Sequence, residues 1–519
     1  MLASTRNARL CTLTALAGAA IATPALAQPY ERAIGDAVEQ RSDWVISDPL
    51  DSTDPGSVHA GWSGDAPAAD MYIARLKASG DTSWDTLIGS PDSTDLANRV
   101  EAVLNPGGYL VAGETNAVSV AGFSFGISLT RLDASGAMLW SQLYQGLPFA
   151  GGSFGGTGLD VYGGQRSLLC GRLQLQPFAD QGAVVHNIDP TGGQIWGKYY
   201  ADVAVGTPSF NSFHDIHAIT DDAGNLSIVA VGYAAPASFA SRDTLVVKMD
   251  LAGNVIWSNT YGPLNHSDVA MGLEPAANGD YIITGYTKEA GEGGGTYIMR
   301  IRPDGSLLWW KDYRFIEATG SIHEEPSGNI VVTGNARDFA GVDDIALMQV
   351  DAFGNLNWVK SYGGSAQEHA EACDLGPDGY LMTAWSNSFG AGSFDLYALS
   401  ADPAGATGCE NDWNVIVTPR DPPVIQRQYR GHDIPEQITP PFEQFSPFFD
   451  NQPVCDPDPC PTCAWDFAPP VGVGDFSDII AFLTMFSASD PCADLAAPFG
   501  VWNFSDVIAF ITSFSVGCP

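Results

Sequence analysis

The stretch Asp243-Thr-Leu-Val-Val-Lys-Met-Asp250-Leu-Ala-Gly253-Asn-Val-Ile-Trp257-Ser-Asn-Thr-Tyr261-Gly262 decides how this chain folds. It reads as two short β-branched, apolar strands joined by a tight turn. Asp250 opens that turn by accepting backbone N–H groups, and Gly253 closes it with a positive φ. The arrangement recurs along the chain. Turn glycines stand at Gly80, Gly136, Gly192, Gly253, Gly305, Gly354 and Gly405, spaced 49 to 61 residues apart. Four residues after the first six stand Trp84, Trp140, Trp196, Trp257, Trp309 and Trp358. The seventh tryptophan is read as Trp413, displaced by a small insertion that holds Cys409. Ten residues before each glycine stands Asp or Gly: Asp70, Gly126, Gly182, Asp243, Gly295, Asp344 and Asp395. A period near fifty residues signals a propeller or a solenoid.

Each copy divides into four short strands. Met71–Leu76, Leu245–Met249 and Ile345–Val350 are strand-like in composition, and each precedes an Asp…Gly turn. Two more strands follow around a second turn, as in Asn278-Gly279-Asp280. Seven such units predict an all-β chain, a seven-bladed β-propeller of four-stranded blades with short protected edges. A solenoid would need atypical capping repeats. Instead an inner pair around Trp44–Ile46 and Val58–Trp62 precedes the first full copy and lets the ring close. The recurring Trp and Tyr are read as packing between blades.

These copies resemble the secreted bacterial β-propeller repeats of the form D-x-Y-x-x-K-x-D-x-x-G-N-x-x-W-x-x-x-Y-G-G. The match is clearest at Asp243–Gly262 and Asp344–Gly364 and spans roughly residues 40–420. It departs at Gly126 and Gly182, where Asp is replaced. The resemblance implies the fold and an exported location, and no reaction. The Gly-x-x-x-Trp column, as in Asp133-Ala-Ser-Gly-Ala-Met-Leu-Trp140, is also similar to the docking repeats of quinoprotein dehydrogenases, where it joins blades.

Residues 1–27 read as a secretory signal: Arg6 and Arg9 precede an apolar run, and Ala25-Leu26-Ala27 supplies a small-residue cleavage site. No other stretch is long and apolar enough to span a bilayer. Lys+Arg 23 against Asp+Glu 60 gives a net charge of −37, and removal of two arginines would take it to 21 − 60 = −39. So acidic a surface repels phosphates and excludes a nucleic-acid binder. Six cysteines crowd the C-terminal part: Cys409, Cys455, Cys460, Cys463, Cys492 and Cys518. They are read as disulfide formers in an oxidising compartment. Cys170 and Cys373 fall in apolar strand patterns and are read as buried thiols.

The predicted organisation is a signal at 1–27, a propeller at 28–420, a Pro- and Cys-rich linker at 421–463 and a duplicated helical module at 464–519. In the last, Asp475-Phe-Ser-Asp-Ile-Ile-Ala-Phe-Leu-Thr-Met-Phe486 matches Asn503-Phe-Ser-Asp-Val-Ile-Ala-Phe-Ile-Thr-Ser-Phe514. Both copies place apolar residues at helical spacing, so two helices can bury their stripes on each other. The module resembles a dockerin of the variant that ends in Gly517-Cys518. That resemblance implies calcium loops, with Asp466, Asp475, Asp478, Asp494, Asn503 and Asp506 as degenerate ligands. Calcium prefers six to eight oxygens, more than these loops offer. Apolar packing of Pro498, Phe499 and Trp502 with a Cys492–Cys518 bridge is the alternative.

No nucleophile elbow, zinc helix or phosphate loop is present. His214-Asp215-Ile216-His217 is the only close histidine pair and is read as a solvated loop. The positional candidate is a ring of acids entering the innermost strands: Asp95, Asp160, Asp215, Asp268, Glu317 and Glu368. Equivalent positions would converge at one mouth of the central channel and hold a cation or polar ligand. The expectation is thus a monomeric, secreted, surface-associated, non-enzymatic protein. Its propeller binds an extracellular protein or glycan, and its tail docks on a cohesin-like or cell-surface partner. The alternative is an extracellular enzyme on the same scaffold, polysaccharide-degrading or quinoprotein-like.

Overall fold

The computed structural model describes residues 29–407 apart from short loop segments, five short strand pieces between 411 and 452, and helical segments at 476–487 and 507–511. The expected architecture is found: seven antiparallel four-stranded blades in a ring. Blade 4 shows the plan, with Ser209–Thr220 innermost, then Leu226–Pro236, Asp243–Met249 and Val255–Pro263 outward. The other blades occupy residues 40–89, 95–144, 158–200, 266–314, 316–362 and, for blade 7, 368–401.

The glycine, tryptophan and tyrosine columns lock neighbouring blades together. Each turn glycine has φ between +76° and +87°, a conformation that costs Gly little and other residues more. A Cβ on Gly136, Gly192, Gly253, Gly305, Gly354 or Gly405 would lie 2.6–3.3 Å from the tryptophan ring of the preceding blade. The hydroxyls of Tyr144, Tyr200, Tyr261, Tyr313 and Tyr362 donate to the carbonyls of Gly192, Gly253, Gly305, Gly354 and Gly405 at 2.5–2.9 Å. Glycine at the turn therefore meets two needs, the backbone conformation and the space for the neighbouring tryptophan.

Two expectations are corrected. The fourth strand of blade 7 is Tyr30–Ile34, paired antiparallel with Asp395–Ala401, so the N-terminal segment closes the ring. Tyr30 stands where the other blades carry tryptophan: a Cβ on Gly80 would be 2.7 Å from its ring. Trp413 lies outside the described residues. The inner pair Gln40–Ser47 and Ser57–Ser63 forms and begins blade 1 as expected, but it is not the element that closes the ring. Beyond blade 7, the stretch read as propeller end and linker contributes edge strands. Asn411–Asp412, Pro419–Arg420, Val424–Gln428, Gln444–Phe445 and Asp450–Gln452 pair with the outer strands of blades 6, 5, 4, 2 and 1. Edges otherwise open to other chains are covered this way.

In the tail, the helix Phe476–Ser487 and residues 507–511 bring Phe482 and Phe510 face to face, ring centroids 4.1 Å apart. Asp466, Asp475, Asp494, Asn503 and Asp506, and the side chain of Asp478, lie outside the described residues, as do the six C-terminal cysteines. Cys170 and Cys373 are buried free thiols. No helix among the described residues is long and apolar enough to cross a membrane.

Candidate functional site

The innermost strand of each blade has its free edge on the central channel, and its alternating side chains pack into the blades on either side. A β-bulge breaks this alternation and re-aims a side chain. Register shifts mark extra residues at Asp43, Asn98, His214, Met271 and Glu371 in blades 1, 2, 4, 5 and 7, and a wider irregularity follows Ala318 in blade 6. In five of these blades a second-strand glycine faces the bulge: Gly61, Gly113, Gly232, Gly285 and Gly334. At the first four, a Cβ would fall 1.9–2.0 Å from a carbonyl oxygen of the innermost strand. The glycine column thus permits the bulges.

Adjacent blades 7, 1 and 2 consequently bring Glu371, Asp43 and Asn98 together near the mouth where the innermost strands begin. Glu371 is held firmly. Its Oε1 accepts from Trp385 Nε1 and from His369 Nδ1, each at 3.0 Å. Asn335 sets the histidine tautomer: its Oδ1 accepts from the Ala370 amide, so its Nδ2 donates to His369 Nε2 at 2.9 Å. The His369 ring stacks on Trp385 at 5.0 Å, nearly parallel. Arg41 lies against Trp385, Phe394 and Trp62 at 4.5, 4.6 and 5.3 Å, and its Nε donates to Glu39 at 2.6 Å. Asp43 experiences the opposite environment. Burial, then the charge of Glu371, with Glu114 adding and Arg41 opposing, pushes its carboxyl well above the usual range. A buried carboxyl raised in this way beside a second carboxyl held in place by hydrogen bonds is a pattern by which acid and base roles can be divided.

Midway along the channel the Arg99 guanidinium stacks on Trp44 at 3.8 Å and donates to Asp215 at 2.7 Å. Past this layer, where the innermost strands end, lies a cavity of about 280 Å³ lined by Glu101, Asp215, His217, Glu274, His323 and Asp374 among others. Burial alone would raise Asp215, but Arg99 and His217 hold it below the ordinary carboxylate range. Burial would lower both histidines, yet Asp215 and Asp160 carry His217 well above normal, and Glu274 and Asp374 carry His323 to about 10. Burial and then Asp160 push Glu101 up to about 8.

Of the acids singled out in the sequence, the structure brings Asp160 and Asp215 into the channel, where they flank His217 at 3.7 Å on either side. Asp95, Asp268 and Glu368 do not converge with them. They sit at or near the start of their strands, ahead of the bulge, buried between blades. Asp95 accepts from Ser93, Asp268 from Thr287, and Glu368 from the Gly364 amide and Ser386. Glu317 lies in the innermost strand of blade 6, its side chain outside the described residues. His214 and His217 are also corrected: they belong to a bulged strand, with His214 Nδ1 at 2.8 Å from the Ala270 carbonyl oxygen. The sequence reading missed Asp43, Glu371, His369 and Glu101. The second-strand glycine column was the available signal, since it marks where alternation fails.

No family model matches the chain, and no curated protein does. Some solved structures are similar to the chain at low identity. A protein of unknown function from Bacteroides caccae is 12% identical, covering 58% of this chain and 93% of its own, with a TM-score of 0.34. A GH43_1 enzyme from Xanthomonas citri complexed with xylotriose is 12% identical over 51% of this chain and 91% of its own, with a TM-score of 0.31. An apocarotenoid oxygenase mutant from Synechocystis is 11% identical over 77% and 96%, with a TM-score of 0.35. At these values the likenesses say nothing about chemistry, which must be read from the channel itself.

Proposed function

We propose that this protein is a hydrolytic enzyme on a propeller scaffold, acting on a hydroxyl-rich substrate such as a glycan at the strand-start mouth. The pairing of Asp43 with Glu371 carries this reading. Asp43 retains a proton because it is buried beside like charges, and Glu371 is oriented by Trp385 and His369. Asp43 gives its proton to the glycosidic oxygen as the bond to the anomeric carbon breaks. Glu371 takes a proton from the water whose oxygen bonds to that carbon, and the two carboxyls exchange the proton back through solvent. Trp62 and Phe394 give the mouth apolar walls suited to the faces of a sugar ring, while Asn98 and Glu114 offer polar partners.

Purified full-length protein incubated with a panel of polysaccharides and aryl glycosides should release reducing ends or aryl alcohol. Release should fall about 10³-fold in E371Q and in D43N. A panel without turnover, or full activity in E371Q, removes this reading.

The setting belongs to the same proposal: export through residues 1–27 and surface attachment through 464–519. Leu483 and Ile511 are exposed on the helical tail and supply apolar surface for a docking partner. Deleting 464–519 should release the protein to the medium. Calorimetry on the full chain tests calcium in the tail loops.

A further inference from the structure

The cavity at the strand-end side of the channel plays no part in the chemistry above, yet it is built with sevenfold regularity. Take the innermost-strand residue paired with the position three before Gly61, Gly113, Gly171, Gly232, Gly285, Gly334 and Ala384. That residue is Ile46, Glu101, Asp160, His217, Glu274, His323 and Asp374, one from each blade in order. Six of seven are ionisable, and Ile46, with Trp44 and Pro49 beside it, forms one apolar sector of the wall.

We propose that this ring binds a small organic ammonium ion, its charge held by the ring carboxylates and its carbon body against the Trp44, Ile46 and Pro49 sector. Charge arithmetic carries the choice. Glu101, Asp215, Glu274 and Asp374 line the cavity, with Asp160 beside His217 just outside it, and they face only Arg99, His217 and His323, so the site holds more acid than fixed base even with both histidines charged. Most of these groups are already positioned by the fold. Asp160, Asp215 and Asp374 accept the amides of Ala218, Leu273 and Ser47 in the next blade at 2.6–2.8 Å. His217 and His323 stand 3.6–3.8 Å from their flanking carboxylates, close enough for charge and too far for a direct hydrogen bond. Glu101 has no hydrogen-bond partner among the described residues. Burial first and then the charge of Asp160 push the Glu101 carboxyl up to about 8. A bound ammonium ion favours the ionised carboxyl. The charged groups facing Glu101 are Asp160, His217, Arg99 and Asp374.

The test is calorimetric titration of the full chain with 1,5-diaminopentane at pH 6.5 and pH 9. Binding should tighten about tenfold at the higher pH, as the fraction of ionised Glu101 rises. The E101Q variant should bind weakly and lose most of this pH dependence while leaving hydrolysis at the other mouth unchanged. That last arm separates failure of this proposal from failure of the hydrolase reading. Equal binding of 1,5-pentanediol would make the ring a polyol site, and saturable binding of calcium displaced by the diamine would make it a metal site. Either outcome overturns the proposal, as does an absence of diamine binding at both pH values.

Discussion

The two ends of the channel are lined by the same seven innermost strands, yet they handle charge in opposite ways. At the strand-start mouth the ionisable groups come from bulges in neighbouring blades 7 and 1. They are asymmetric: Glu371 is clamped by Trp385 and His369, while Asp43 is left with like charges around it. At the strand-end cavity they come mostly from one register position, ionisable in six of the seven blades, and each ring histidine stands between two carboxylates. A bulge breaks the symmetry of the repeat and can concentrate chemistry on one side. A regular register sets ionisable groups from six blades around one cavity. Repetition therefore builds the cavity, and local departures from repetition bring Asp43 and Glu371 together.

The comparison is broken most severely by E371Q. It should abolish turnover about 10³-fold, whereas E101Q should change it less than twofold. Equal losses in both variants would mean that the two ends work as one site. Next in size is Asp215→Asn, which leaves the buried Arg99 guanidinium without its carboxylate partner. It should cost about 3 kcal/mol of unfolding free energy in a denaturant titration, the penalty for an uncompensated buried charge. A loss below measurement error would show that the mid-channel layer does not depend on this ion pair.

His369→Gln sharpens the assignment of positioning to the aromatic side. It should lower kcat about tenfold with KM little changed, because the lost donor orients Glu371 and does not touch substrate. A pure KM effect would place His369 on the substrate instead. The smallest effect concerns pH and stability. Glu101 is raised in the folded state, so its contribution is fully present below the unfolded carboxyl value and is lost as pH rises through about 8. E101Q should therefore match the natural protein near pH 4–5 and become the more stable of the two above pH 8. Urea titrations at pH 5 and pH 9 check the crossing.

Much of the architecture was legible because its determinants are local. Asp250, Asp351 and Asp402 accept amides two and four residues ahead, which is turn chemistry visible in any single copy. The tryptophan and tyrosine columns showed the blade count because each contact repeats at a fixed offset. Ring closure was not legible. Tyr30 lies far ahead of the repeat it completes, and a strand that pairs across the whole chain leaves no local period. The reactive pair was hidden for a related reason. Alternation assigns Asp43 and Glu371 to blade interfaces, and only a bulge opposite Gly61 or Ala384 turns them to the channel.

The acid column shows the division most clearly. One carboxylate read as entering each of six blades is a property of the sequence, and so are the seven turns and the excess of acid over base. Which carboxylates reach the channel is decided by register. Asp160 and Asp215 lie deep enough along their strands to meet His217, whereas Asp95, Asp268 and Glu368 fall a few residues short and accept from hydroxyls of their own blade or entry loop. Side chains alternate every residue along a strand, so a shift of one position turns a group from one neighbouring blade to the other. Sequence alone determined the repeat and its chemistry of turns. Only the packed ring decided which acids face each other, because that depends on pairings between residues from different blades.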